Sequence, residues 1–127
     1  MNILDIRTER RTEIVDITPL VEKILDKDSG IALIYSPHTT TAIIINEAEP
    51  GLLDDILEFM ERLVPYRGGY KHDRIDDNAD SHIKTCILGN SVVIPVENGR
   101  LMLGTWQRIL FLEFDGPRNR KVYVRVI

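Results

Sequence analysis

The sequence predicts an α+β fold, a single-domain sandwich with a mostly antiparallel β-sheet and packed helices, on three observations. β-branched, strand-like runs lie at both ends of the chain, the stretches with helical spacing lie mainly between them, and turn signals such as Glu97-Asn98-Gly99 and Asp115-Gly116-Pro117 join successive strand-like runs. With 127 residues, 43% of them hydrophobic and 28% charged, the chain can bury one core without disulfides, so one domain spanning 1–127 is expected.

Taken in order, Asn2 to Arg7 and Glu13 to Ile17 read as strands joined by the charged turn Thr8-Glu9-Arg10-Arg11. Thr18-Pro19 reads as an N-cap followed by a first-turn proline, with Leu20, Val21, Ile24 and Leu25 at helical spacing and an end near Ser29-Gly30. Ile31 to Tyr35 and Thr41 to Asn46 are nearly continuous apolar runs, which predicts strands buried on both faces. Pro50-Gly51 opens a helix whose Leu52, Leu53, Ile56, Leu57, Phe59, Met60 and Leu63 form one broad apolar face, ended by Pro65. Tyr66 to Asp77 lacks any period and forms a long loop, a common place for function. Asn78 or Asp80 then caps a short helix through Ile83, Cys86 and Ile87, closed by Gly89. Strands are expected at Ser91 to Val96, Leu101 to Thr105, Arg108 to Phe114 and Lys121 to Ile127.

Composition excludes several classes. A formal charge of −4 argues against a general nucleic-acid binder, although Arg118, Arg120, Lys121 and Arg125 leave room for a small phosphorylated ligand. The apolar runs are far shorter than the ~20 residues of a membrane helix, and Met1-Asn2-Ile3-Leu4-Asp5 lacks the pattern of a secretory signal, so no membrane partner and a cytoplasmic location are expected. The lone Cys86 forms no CxxC pattern and is expected to be a small buried hydrophobe in a reducing compartment.

The chemistry-bearing residues gather in turn-forming neighbourhoods. His38 lies in Ser36-Pro37-His38-Thr39-Thr40-Thr41, where Ser36, Thr39 and Thr40 can face a ligand or simply satisfy turn backbone. His72 and His82 flank Asp73, Asp76, Asp77 and Asp80. If the three rings converge, they suit zinc or a similar divalent metal with a carboxylate orienting a ring; Asp76, Asp77 and Asp80 alone would suit magnesium. Ser36 has no GxSxG elbow, and Gly99 to Gly104 is no phosphate loop. Trp106 can stack on a planar heterocycle while Gln107 reads its edge, or both can serve the sheet; Arg118 and Arg120 can clamp phosphate or form a solvated turn.

Ser-Pro-His-Thr-Thr at 36 to 40, Ile-Asn-Glu at 45 to 47, Asn-Ala-Asp-Ser-His at 78 to 82, Leu-Gly-Asn-Ser at 88 to 91, Ile-Pro-Val at 94 to 96, Asn-Gly-Arg-Leu at 98 to 101, Leu-Gly-Thr-Trp-Gln at 103 to 107 and Asp-Gly-Pro-Arg at 115 to 118 together resemble the YjbQ-like proteins of the UPF0047 group. The resemblance spans almost the whole chain. It implies an α+β sandwich assembling as a homotrimer, with a histidine-lined pocket near subunit contacts. It also implies a thiamine-phosphate synthase activity, in which a pyrimidinylmethyl diphosphate joins a thiazole phosphate and diphosphate leaves. In that picture His38, His72 and His82 hold a metal or act as acid and base, and Asp76 or Asp77 orients them. Arg118 takes phosphate, and Trp106 with Gln107 lines the pocket. Asn46-Glu47-Ala48-Glu49-Pro50 departs from the Asn-Glu-Asn-Ala-Asp of many relatives, which bears on any substrate contact from Glu47. The alternatives are a metal-dependent hydrolase or phosphatase of a small phosphorylated metabolite, and a non-catalytic module binding a small anion or metabolite.

Overall fold

A computed structural model describes residues 1–127. Strands β1 (Asn2–Arg7), β8 (Asn119–Val126), β3 (Gly30–Tyr35), β5 (Ser91–Glu97) and β6 (Arg100–Leu101) form a five-stranded sheet in that order. A second, three-stranded sheet runs β2 (Glu13–Asp16), β7 (Arg108–Glu113), β4 (Thr41–Asn46). Every pairing is antiparallel, as expected.

The period-2 pattern of each strand explains the layering. Leu4 and Ile6 of β1, Ala32 and Ile34 of β3 and Val122 and Val124 of β8 meet Ile43 of β4 and Ile109 and Phe111 of β7 in one core between the sheets. Each large aliphatic side chain buried there contributes about 1.5–3 kcal/mol relative to exposure. The alternate residues of the small sheet, Ala42, Leu110 and Leu112, pack under Leu53, Ile56 and Leu57 of helix α2 (Pro50–Leu63). Helix α3 (Ala79–Leu88) also lies against β4. The order is therefore sheet, sheet, helices.

Several local expectations are corrected by this layering. β4 is buried on both faces because it belongs to the middle layer; β3 is not, and Ile31 and Tyr35 stand exposed on the uncovered face of the large sheet. Helix α1 covers only Thr18–Lys23: Ile24 closes it through a tight bond to the Val21 carbonyl, and Ile24 and Leu25 turn into the core. Thr18 is not its cap. Its hydroxyl accepts the Ile109 amide of β7 at 2.8 Å, while Asp16 Oδ1 accepts the Thr18 amide. On α2, Glu49 caps the first turn by accepting from Gly51 and Leu52, and Met60 is core, but Phe59 and Leu63 lie on an outer flank more than half exposed. Between Leu101 and Arg108 no strand forms, so the strand expected over Leu101 to Thr105 is confined to Arg100–Leu101; Gly104 to Gln107 make a tight turn, Gln107 Oε1 accepting the Gly104 amide.

Candidate functional site

β3 ends at Tyr35 and β4 starts at Thr41, so rigid strands hold the His38 loop at both ends. Inside it, Ser36 and Thr41 share a hydroxyl hydrogen bond of 2.6 Å, and Ser36 Oγ accepts the His38 amide at 3.3 Å. Thr40 accepts from Arg120 at 2.8 Å. Ser36 and Thr40 are thus buried parts of the loop's frame instead of the ligand contacts their sequence position suggested; Thr39 alone of the three faces a cleft.

The His38 ring is held by β8, the strand beside β3 in the large sheet. Its Nε2 accepts the Lys121 backbone amide at 2.8 Å. An amide can only donate, so the neutral ring carries its proton on Nδ1, and protonating Nε2 would break the bond. Burial, and then the Arg120 charge, hold the His38 pKa below the ordinary imidazole value. The unfolded chain therefore binds the proton more readily. The associated stability is complete above the unfolded pKa and is lost as pH falls from about 6.5 toward the folded pKa, below which it no longer changes. Urea unfolding of wild type and His38→Gln between about pH 7.5 and 5 checks this: the variant should lose part of the acid-side decline, and identical slopes would contradict it.

Helix α3 supplies the facing wall. His82, Thr85, Cys86 and the closing Gly89 recur at three- and four-residue spacing, so they share one side of the helix. With His38, Thr39 and Asn90 they line a cleft of about 410 Å³. Gly89 ends the helix at φ 90°, a conformation that favours glycine, and so turns the chain toward Asn90. Cys86 is exposed in this cleft, contrary to the expectation of a buried thiol. What faces inward from α3 is Asp80, Ser81 and Lys84.

A second cleft, of about 600 Å³, opens on the other side of His82 and is lined by Tyr70, Lys71, His72 and Ile83 among others. His72 sits in a 3-10 turn (Lys71–Arg74), its ring edge-on to His82 with centroids 5.0 Å apart. His72 Nε2 lies 3.1 Å from Asn78 Oδ1, Asn78 Nδ2 donates to Asp115 at 2.9 Å, and Arg118 binds Asp115 through both its carboxylate and its carbonyl.

The remaining candidates fall elsewhere. Asp77 pairs with Arg67 at 2.9 Å in solvent and does not orient a histidine; Asp115, acting through Asn78, takes that position. Arg118 is engaged by Asp115, which leaves Lys71 as the cation lining the larger cleft. Asp80 is closed off between Arg11 and Lys84, so the triple-aspartate magnesium site does not form. No group of three His, Cys, Asp or Glu side chains stands within reach of one metal ion. One chain brings His72 and His82 together, with His38 across the smaller cleft, but does not assemble the three-imidazole zinc centre. Glu47, Trp106 and Gln107 lie at the far end of β4 and β7. The register that pairs Thr41 with Glu113 beside His38 pairs Asn46 with Arg108, roughly 17 Å away at about 3.4 Å per residue. The sequence reading missed Asn90, Thr85 and the Asn78–Asp115 link. The helical period from His82 was signal enough for Thr85 and Cys86.

Fold and site together define an α+β sandwich protein with two clefts divided by a histidine. The chain belongs to the UPF0047 family: the family model for UPF0047 protein YjbQ-like matches residues 2–127. A UPF0047 protein of Archaeoglobus fulgidus is 64% identical over 98% of both chains, and YugU of Bacillus subtilis is 44% identical over 100% of this chain and 98% of its own. Among solved structures, hypothetical protein APE1520 of Aeropyrum pernix superimposes with a TM-score of 0.97 at 46% identity, covering 99% of this chain and 96% of that one. A YjbQ/UPF0047-family protein of Clostridium acetobutylicum gives 0.94 at 44% identity with both chains fully covered. No helix is long and apolar enough to cross a membrane.

Proposed function

We propose that the chain is a thiamine-phosphate synthase-type transferase, joining a pyrimidinylmethyl diphosphate to a thiazole phosphate with loss of diphosphate. The observation that carries this reading is the position of His82 in the wall shared by two clefts of about 600 and 410 Å³, each the size of a small-molecule site. Two heterocyclic partners can then meet at one imidazole. Tyr70 and Ile83 offer an apolar bed for a ring, Lys71 a counter-charge for phosphate, and the Nδ1–H of His38 a donor to an anionic oxygen. No step is assigned to a metal.

The uncovered face of the large sheet, with Ile3 and Ile31 each 53% and Val93 63% exposed, supports self-association, and a homotrimer is the assembly proposed. Glu47, Trp106 and Gln107 enter this reading only through a neighbouring copy. Light scattering fixes the assembly.

Diphosphate release from the two precursors, measured with and without added zinc or magnesium and with bound metal quantified, tests the reaction. His82→Ala should lower turnover by about 10²–10⁴-fold, the range of a lost acid–base group. No diphosphate at high enzyme concentration rejects the synthase reading. Release of inorganic phosphate from a single precursor would point to a hydrolase, and binding without turnover to a non-catalytic module.

A further inference from the structure

The histidines differ in what holds them, and the His72 contacts fix more than its position. Asp115 is acceptor-only when ionised, and Arg118 keeps a guanidinium against it, at 3.2 Å to the carboxylate and 2.8 Å to the carbonyl. The group of Asn78 that faces Asp115 must therefore be its amide nitrogen, seen at 2.9 Å. That choice turns Oδ1 toward His72 Nε2 at 3.1 Å. A carbonyl oxygen accepts and never donates, so Nε2 must carry a proton.

We infer that Asn78 and Asp115 are positioning residues that lock neutral His72 in the Nε2–H tautomer, making Nδ1 the basic atom it presents. His38 is locked the opposite way, with Nε2 accepting the Lys121 amide and the proton on Nδ1. The two rings that flank His82 thus offer complementary atoms, a lone pair from His72 and a donor from His38. The chain Arg118–Asp115–Asn78–His72 joins the Asp115-Gly116-Pro117-Arg118 turn to the long loop, which gives that turn a role at the site without touching a ligand. Asn78 precedes α3 yet makes no side-chain cap bond, so its amide is committed to this relay and its loss does not uncap the helix.

The assignment deepens the proposed site, but its test uses no substrate. Imidazole ¹H–¹⁵N spectra of the full chain, recorded where both rings are neutral, report which nitrogen is protonated. In wild type the ratio of the Nε2–H to the Nδ1–H form of His72 should exceed that in the urea-unfolded chain by at least about fivefold, the worth of one hydrogen bond. Asn78→Ala should return the ratio to the unfolded value, and Asp115→Asn, whose amide can present either group, should release it as well. His38 must remain Nδ1-protonated in each variant, which shows that the fold is intact. Should Asp115→Asn fail to fold, Asn78→Ala decides alone. A wild-type His72 protonated on Nδ1, or a ratio that the substitutions leave unchanged, overturns the inference. A failed synthase assay leaves it standing.

Discussion

Glu113→Ala is expected to lower the unfolding free energy by about 3–5 kcal/mol, the cost of leaving a buried partner charge uncompensated. Glu113 has no solvent exposure, and Arg120 is 5% exposed. Arg120 reaches the carboxylate through Nε at 2.8 Å and Nη2 at 2.5 Å, Thr8 donates its hydroxyl at 2.7 Å, and the Asp115 amide donates at 3.0 Å. Removal therefore strands a guanidinium and two further donors. Glu113→Gln preserves shape without charge and should lose nearly as much. Because Arg120 also holds Thr40, amide hydrogen exchange at residues 38–41 should quicken in both variants. A loss under about 1 kcal/mol in chemical denaturation would show that the group is not committed to this network.

The same network explains why part of the site was legible in the sequence and part was not. Loop residues bounded by β-branched runs are positioned by the strands beside them, so the place of His38 could be read directly. His82, Thr85 and Cys86 obey the helical period, so their common face could be read too. The partners of the histidines could not, because they come from distant chain: Asp115 lies 37 residues from Asn78, and Lys121 lies 83 from His38. Carboxylate spacing misled in another way. Asp76, Asp77 and Asp80 look like one cluster, yet the first turn of α3 sends Asp80 inward while Asp77 stays in solvent with Arg67. Apolar periodicity also failed on α3, since Ile83 and Ile87 point outward and the inward face is an ion pair. The three-layer order of sheet, sheet and helices depends on which strands pair, and that is a long-range property. Only the class, mostly antiparallel with packed helices, follows from the local pattern.

Asp80→Ala should be the other severe substitution, again about 3–5 kcal/mol, because it leaves the Lys84 ammonium buried. Lys84 is 1% exposed, bonded to Asp80 at 2.7 Å and to Glu61 at 3.0 Å. Burial alone would push the Asp80 carboxyl up; the hydrogen bonds from Arg11 and Lys84 outweigh it and hold its pKa below the usual value. A depressed carboxyl pKa contributes stability that is present above the unfolded value, about 3.9, and is lost as pH falls through the folded one. Wild type should accordingly lose stability on acidification in that range, and Asp80→Ala should lose less of it. The pair need not be stabilising relative to an apolar one, however, since bringing both charges out of water costs several kcal/mol per ion. The double variant Asp80→Ala with Lys84→Met removes both charges, and Arg11 keeps its stack on Tyr66 at 3.7 Å. It should recover much of the stability lost in Asp80→Ala, with a coupling of about 0.5–3 kcal/mol in the double-mutant cycle. Additive losses would mean that each residue acts through other neighbours, Asp80 through Arg11 and Lys84 through Glu61, and that α3 is anchored by its rim instead of by its buried face.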